Sequence, residues 1–154
     1  MILKNSGAKA LATLIVLWAA GFYQLATSGK VLAVSLVPDD AEIVAAGAGL
    51  YQKHCASCHG AKLEGQPNWQ SRLPNGRLPA PPHDKTGHTW HHNDALLFKI
   101  TKLGTKALAG DDYETDMRGF SSELSDKQII AVLSYIKSTW SAEIRKRHDQ
   151  MNKR

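Results

Sequence analysis

The two cysteines of the chain lie three positions apart, and a histidine directly follows the second one. Within YQKHCASCHGAK, residues 51–62, they are Cys55 and Cys58, and the histidine is His59. Because the 154 residues contain no other cysteine, this short pattern limits which sites the chain can build. Four kinds of site use such a pattern: a disulfide, a zinc site, a thiol redox centre and the covalent attachment of a haem.

The surrounding sequence favours the last of these. A disulfide here would close a very small loop, add little stability and leave His59 without a role. A thiol redox centre is expected beside a β-strand, and zinc needs a fourth ligand and a geometry that adjacent Cys58 and His59 suit poorly. Haem attachment needs two thiols for the two vinyl groups and a histidine beneath the iron. We therefore expect one haem c bound covalently to Cys55 and Cys58, with His59 as an iron ligand.

Basic residues are concentrated towards the two ends of the chain. Of the 19 lysines and arginines, eight flank the first apolar segment or lie in the tail, and the remaining 11 are outnumbered by the 14 acidic residues. Those eight are Lys4, Lys9, Lys30, Arg145, Lys146, Arg147, Lys153 and Arg154. A nucleic-acid-binding protein would carry its basic residues on the folded part. This distribution argues against a nucleic-acid partner.

Residues 10–29 contain no charged residue and are long enough to cross a membrane. A helix of that length covers about 30 Å, the thickness of the hydrocarbon layer. Lys4 and Lys9 precede it, which favours residues 1–9 in the cytoplasm and everything after Lys30 across the membrane. A secretory signal cleaved after Ala33 is the alternative. We expect a single-pass anchor in the cell inner membrane, with the following domain on the periplasmic side.

Three segments after a linker at residues 30–40 carry helix signals. Each follows a residue that can cap a helix, and each has apolar residues at helical spacing. The predicted helices cover residues 41–54, 94–103 and 126–140, and the last one ends near Trp140 or continues into a basic tail at residues 141–154.

Residues 60–92 contain five prolines and four glycines, which rules out a long helix and indicates a loop. No alternating strand pattern occurs in the chain, so we predict an all-α fold of three or four helices with long loops. The domain would cover residues 41–140. A domain of this size with so few large apolar side chains fills its own core poorly. A bound haem would complete that core.

The sequence resembles the class I c-type cytochromes, small mono-haem electron carriers, and in particular membrane-anchored bacterial members of that family. The resemblance covers residues 42–140. Before Cys55 it includes Gly47 and Tyr51 at intervals of four residues, and Tyr135 lies at the aromatic position of the family's last helix. It implies the cytochrome c fold around one haem, with Gly47 letting the first and last helices approach each other.

The resemblance also implies two further residues at the iron. In GQPNW, the carbonyl of Pro67 would accept a hydrogen bond from His59 and fix the orientation of the imidazole. In MRGF, Met117 lies where the family places its axial methionine, and the other two methionines lie at the chain termini. The family commonly has a proline after that methionine. Arg118 departs from this, which predicts a less rigid loop.

A cluster of histidines follows in PPHDKTGHTWHH, residues 81–92. Its members are His83, His88, His91 and His92. Copper or zinc could bind such a cluster, and one histidine could bind the haem iron instead of Met117, but no cysteine or carboxylate cluster completes a metal site. We expect structural roles, or hydrogen bonds to the haem propionates from Trp90 and His88.

A single-electron carrier is the function that this resemblance implies, with no bond-making catalysis. Its partners would be the membrane and membrane-bound redox proteins, namely a quinol-oxidising complex on one side and a terminal oxidase or reductase on the other. The alternative is a haem enzyme or gas-binding haem protein in which Met117 does not hold the sixth iron position.

Overall fold

The computed structural model describes residues 34–153. The predicted membrane segment at residues 10–29 and the residues before it lie outside this range. Within residues 34–153 no helix is long and apolar enough to cross a membrane.

The described part of the chain is all-α, as predicted. Its helices are α1 (Ala41–His54), α2 (Ala56–His59), a 3₁₀-helix η1 (Thr89–His91), α3 (Asp94–Leu103), α4 (Lys106–Ala109), α5 (Asp126–Ser138) and α6 (Ala142–Met151). Two of the six α-helices are single turns, which is why the count exceeds the three or four predicted. Between residues 34 and 153 the backbone forms no β-strand, only an isolated bridge between Gly104 and Arg118.

The three predicted helices begin at the predicted caps. The Asp40 carboxylate accepts hydrogen bonds from the backbone of Glu42 and Ile43 at the start of α1. The Asn93 side chain caps α3, and the Ser125 side chain caps α5. The side-chain oxygen of Gln128 in turn accepts a hydrogen bond from the Ser125 amide. Such caps satisfy amides that have no partner within the helix.

Helices α1 and α5 cross at Gly47 and form the centre of the fold. A Cβ atom at Gly47 would meet the Ala131 carbonyl well inside van der Waals distance, so only glycine permits this approach. One turn further, the rings of Tyr51 and Tyr135 lie 5.5 Å apart. Around this crossing a core cluster is buried, comprising Leu36, Tyr51, Leu63, Leu97, Phe120, Leu124, Ile129, Val132, Leu133, Ile136 and Trp140.

The basic tail, predicted as a segment separate from the domain, folds onto it instead. Helix α5 ends at Ser138, and Ser141 caps the new helix α6. The His148 side chain of α6 is fully buried and packs edge-on against Trp140, with ring centroids 5.0 Å apart. Helix α6 therefore belongs to the same compact unit as the helices before it.

Candidate functional site

The two cysteines and His59 lie where α1 gives way to the single turn α2. The Cys55 amide still donates to Tyr51 at the end of α1, and the His59 amide donates to the Cys55 carbonyl within the next turn. The Tyr51 hydroxyl donates to the Gly60 carbonyl at 2.9 Å and so ties the end of this turn back to α1. This places both thiols and the buried His59 imidazole on one short, well-anchored segment.

The hydrogen-bond acceptor for His59 is Pro81, not Pro67 as predicted. His59 Nδ1 lies 2.8 Å from the Pro81 carbonyl oxygen, and because a carbonyl only accepts, Nδ1 carries the proton. The Gln66 amide donates to Ala80, and the Gln66 side chain accepts from the Ala80 amide. This pairing brings Pro81 over the histidine and leaves Pro67 exposed on the outside of the loop.

The pairing depends on two glycines that face Pro82 closely. A side chain at Gly65 would clash with the backbone of Pro82, and Gly65 has φ +68°, which favours glycine. A side chain at Gly87 would clash with the carbonyl of the same proline. The backbone of Pro82 thus packs between two residues without side chains, and the loop at residues 60–92 is held in one path.

Both thiols are free, but their surroundings differ. Cys55 is partly buried and packs against the core, whereas Cys58 is exposed. Burial, with a smaller effect of Cys58, raises the pKa of the Cys55 thiol to about 11.

Burial also keeps the His59 imidazole neutral. It lowers the pKa of His59, against a smaller opposing effect of the hydrogen bond to Pro81. A neutral imidazole with its proton on Nδ1 has a lone pair on Nε2, which is the atom that can bind a metal. The acceptor on the other nitrogen fixes the ring and raises its basicity as a ligand.

Hydrogen bonds to α3 and to Thr105, which precedes α4, hold the segment that carries Met117. The carbonyl of Met117 accepts from the Thr105 amide at 3.2 Å, and the Phe120 amide donates to Thr101 at 3.0 Å. The Met117 side chain is partly buried and packs against the core. The methionine segment therefore has a defined path along the end of α3.

Arg118, which stands where the family commonly has proline, makes contacts of its own. Its guanidinium forms an ion pair with Glu123, with Nη2 3.0 Å from Oε2, and lies 4.7 Å from the Phe120 ring. These side-chain contacts do not restrict the backbone as a proline ring would.

The cytochrome c family model matches residues 44–140, more than half of the chain. This chain belongs to the cytochrome c family. Neither a curated protein nor a solved structure gives a significant match. As a member of this family, the cytochrome binds a haem c covalently and is a haem electron-transfer protein.

The residues present fit this group. Cys55 and Cys58 are free thiols within the Cys-x-x-Cys-His segment, and His59 offers an unprotonated Nε2. Among residues 34–153 the Trp90 indole N–H is buried without a hydrogen-bond partner, so it can donate to an acceptor such as a haem propionate. The roles of Met117 at the iron and of Trp90 at a propionate stay predictions.

The histidine cluster of the cytochrome separates into different environments. His83 is stacked on His59, His88 on Trp69 and His91 on Trp90, while His92 meets His88 edge-on. Within the described range, no three His, Cys, Asp or Glu side chains come together as a metal site.

The contacts that Pro81 and His83 make with His59 were not predicted from the sequence. Pro81 and His83 reach His59 only because the loop folds back on itself, and loop paths are not visible in local sequence patterns. The resemblance correctly required a proline carbonyl at His59, but it aligned to the wrong proline. The Pro-Pro pair at 81–82, directly before His83, was the available signal.

Proposed function

We propose that this cytochrome c is a membrane-anchored one-electron carrier that passes electrons from a quinol-oxidising complex to a terminal oxidase or reductase. The observation that carries the electron-carrier role is the His59 imidazole, whose Nδ1 is bonded to the Pro81 carbonyl while the ring lies next to Cys55 and Cys58 on the same turn. The haem supplies an iron that changes between the ferric and ferrous states. Because the protein ligands need not move for this change, reorganisation stays small.

The hydrogen bonds that hold the Met117 segment support a protein ligand at the sixth coordination position of the iron. Its backbone is bonded to α3, and Arg118 beside it is paired with Glu123. A ligand supplied from such a segment loses little conformational freedom on binding. A thioether at this position would favour ferrous iron and raise the reduction potential compared with a second imidazole.

The sequence before the domain supports membrane attachment. Residues 10–29 form an uncharged stretch with Lys4 and Lys9 ahead of it. We propose that they anchor the cytochrome in the inner membrane with the haem domain in the periplasm. An anchor confines the carrier to the membrane surface and so raises its effective concentration for membrane-bound partners.

The spectrum of a Met117→Ala variant tests the carrier against an open-site haem protein. We expect the oxidised wild type to show the weak red charge-transfer band of a methionine-ferric pair, and the reduced wild type to bind no carbon monoxide at neutral pH. Met117→Ala should lose the band and bind carbon monoxide. Met151→Ala, at the end of α6, is the matched control and should behave as wild type. Rapid carbon monoxide binding by the wild type would instead support a haem enzyme or gas sensor.

Fractionation of cells that express the full chain tests the anchor. We expect the haem-stained protein in the membrane pellet after washing at high salt, and in solution once residues 1–32 are replaced by a cleavable export signal. Release of the full chain by salt alone would contradict the anchor.

Mild detergent extraction followed by identification of co-purifying haem or quinol-oxidising subunits tests the partners.

A further inference from the structure

We infer that His83 is a positioning residue that sets the plane of the His59 imidazole. The two rings are stacked, with centroids 4.0 Å apart and planes 25° from parallel. The inference rests on the proposed haem site, because the orientation of His59 matters there through the iron it would bind. It adds to the Pro81 bond a second contact that no resemblance supplied.

The two contacts restrain His59 in different ways. The hydrogen bond to Pro81 fixes the direction in which one edge of the ring points, but it leaves rotation about that bond open. A flat ring against its face opposes that rotation, since the stacked area would be lost. Together they leave His59 a single orientation.

His83 is itself held firmly enough to act as a support. Its Nδ1 lies 2.8 Å from the Thr89 hydroxyl, which in turn lies 3.4 Å from the Pro82 carbonyl. The hydroxyl therefore donates to Pro82 and accepts the proton of His83 Nδ1. The backbone of His83 is fixed at both ends, because its amide donates to Leu63 and its carbonyl accepts from the Trp140 indole at 2.8 Å.

Face-to-face stacking also shows what His83 is not. Two imidazoles that bind one iron from opposite faces of a porphyrin point their nitrogen atoms at each other. His83 instead lies flat beside His59, so it flanks the ligand rather than opposing it.

Spectra of the ferric protein report the orientation of the imidazole, and a change in folding stability alone does not alter them. The plane of an axial imidazole decides which iron d orbital holds the unpaired electron, and this sets the g values in electron paramagnetic resonance and the haem-methyl shifts in NMR. We expect His83→Leu, which removes the flat ring, to shift both. His83→Phe and Thr89→Val keep a flat ring but remove its anchor, so they should give smaller shifts in the same direction. The control is His92→Leu, the same kind of change in a histidine that meets His88 rather than His59, and it should match wild type.

Each outcome of this experiment decides something. A wild-type protein without covalent haem would overturn the proposed function itself, whereas haem-loaded His83→Leu with wild-type g values and methyl shifts would overturn only the role of His83. If His83→Leu does not accumulate, His83→Phe and Thr89→Val test the role of His83 in its place. Wild-type spectra in both variants would reject the inference. A shift in His92→Leu as large as in His83→Leu would also reject it.

Discussion

At the scale of single residues, two glycines in one helix have opposite surroundings. Gly47 lies against the Ala131 carbonyl of α5, whereas nothing lies within 4 Å of a side chain added at Gly49. Composition alone cannot separate them, because both reduce helix propensity equally. The family resemblance assigned Gly47 to the helix crossing, and the structure confirms that close approach.

Alanine at the two positions should therefore change stability in opposite directions. We expect Gly47→Ala to destabilise the domain by about 1–3 kcal/mol, since α1 and α5 must move apart. Gly49→Ala should stabilise it by about 0.5–1 kcal/mol, because alanine favours the helix and loses less freedom on folding. Urea unfolding followed by circular dichroism measures both. Equal effects of the two substitutions would show that the helix crossing does not depend on Gly47.

At the scale of elements, helix α6 is joined to the domain through buried charged groups. The Lys137 ammonium of α5 lies 2.6 Å from Asp149 of α6 and 3.7 Å from Asp94 of α3. His148 Nε2 lies 3.6 Å from the same Asp94, whose other oxygen accepts from the Leu36 amide. Asp94, Lys137 and His148 are each less than a tenth exposed. Three helices thus meet at one buried carboxylate.

The domain should lose stability at mildly acid pH through His148. Burial, and to a lesser degree Lys137, lowers the pKa of His148, although Asp94, the His92 backbone and Asp149 oppose this. The unfolded chain then takes up the proton first, so stability falls as the pH drops below about 6.5, by at most about 1.4 kcal/mol per pH unit for one proton.

Comparison with a His148→Leu variant isolates this effect from the other histidines. We expect the difference in unfolding free energy between wild type and His148→Leu to change between pH 7.5 and pH 5.5, with the variant gaining relative stability at the lower pH. Urea titrations at both values provide the measurement. Parallel pH profiles for the two proteins would mean that His148 does not titrate on unfolding.

Removal of the buried Lys137 charge should lower the free energy of unfolding much more than removal of an exposed lysine charge. Lys137→Met leaves Asp94 buried beside no ammonium group, and breaking a buried pair in this way costs about 3–5 kcal/mol. Lys102→Met is the control, since its pair with Asp126 is exposed and worth about 1 kcal/mol or less. Urea unfolding at neutral pH compares them. A Lys137→Met variant as stable as Lys102→Met would show that the buried charges are not coupled.

At the scale of the whole molecule, local features were predictable and long-range ones were not. Caps and apolar spacing are local, so the three main helices were found together with their first residues. Helix α6 has too few apolar residues to be recognised as part of a core, because it packs through His148 and Asp149. The partner of His59 depended on the path of 33 loop residues, 60–92, which the choice of prolines alone does not encode.

The cytochrome should need the helix beyond the end of the family match. A chain that ends at Trp140 loses Asp149 opposite Lys137 and the side chain of Asn152, which accepts from the Asp94 amide. We expect its thermal midpoint to fall by on the order of 10 °C, the shift that about 2 kcal/mol produces in a domain of this size. A chain that ends at Asn152 is the control. Thermal unfolding of the haem-loaded proteins tests this, and equal midpoints would show that α6 is not part of the folded unit.

The enclosure of Pro82 between Gly65 and Gly87 has a consequence for how this protein can vary. By composition, residues 60–92 look like a surface connection in which almost any substitution would survive. Any side chain at either position would instead clash with the backbone of Pro82. Neither glycine can therefore be substituted unless the backbone around Pro82 changes as well. Deep mutational scanning should therefore find positions 65 and 87 as intolerant of substitution as the helix crossing at Gly47.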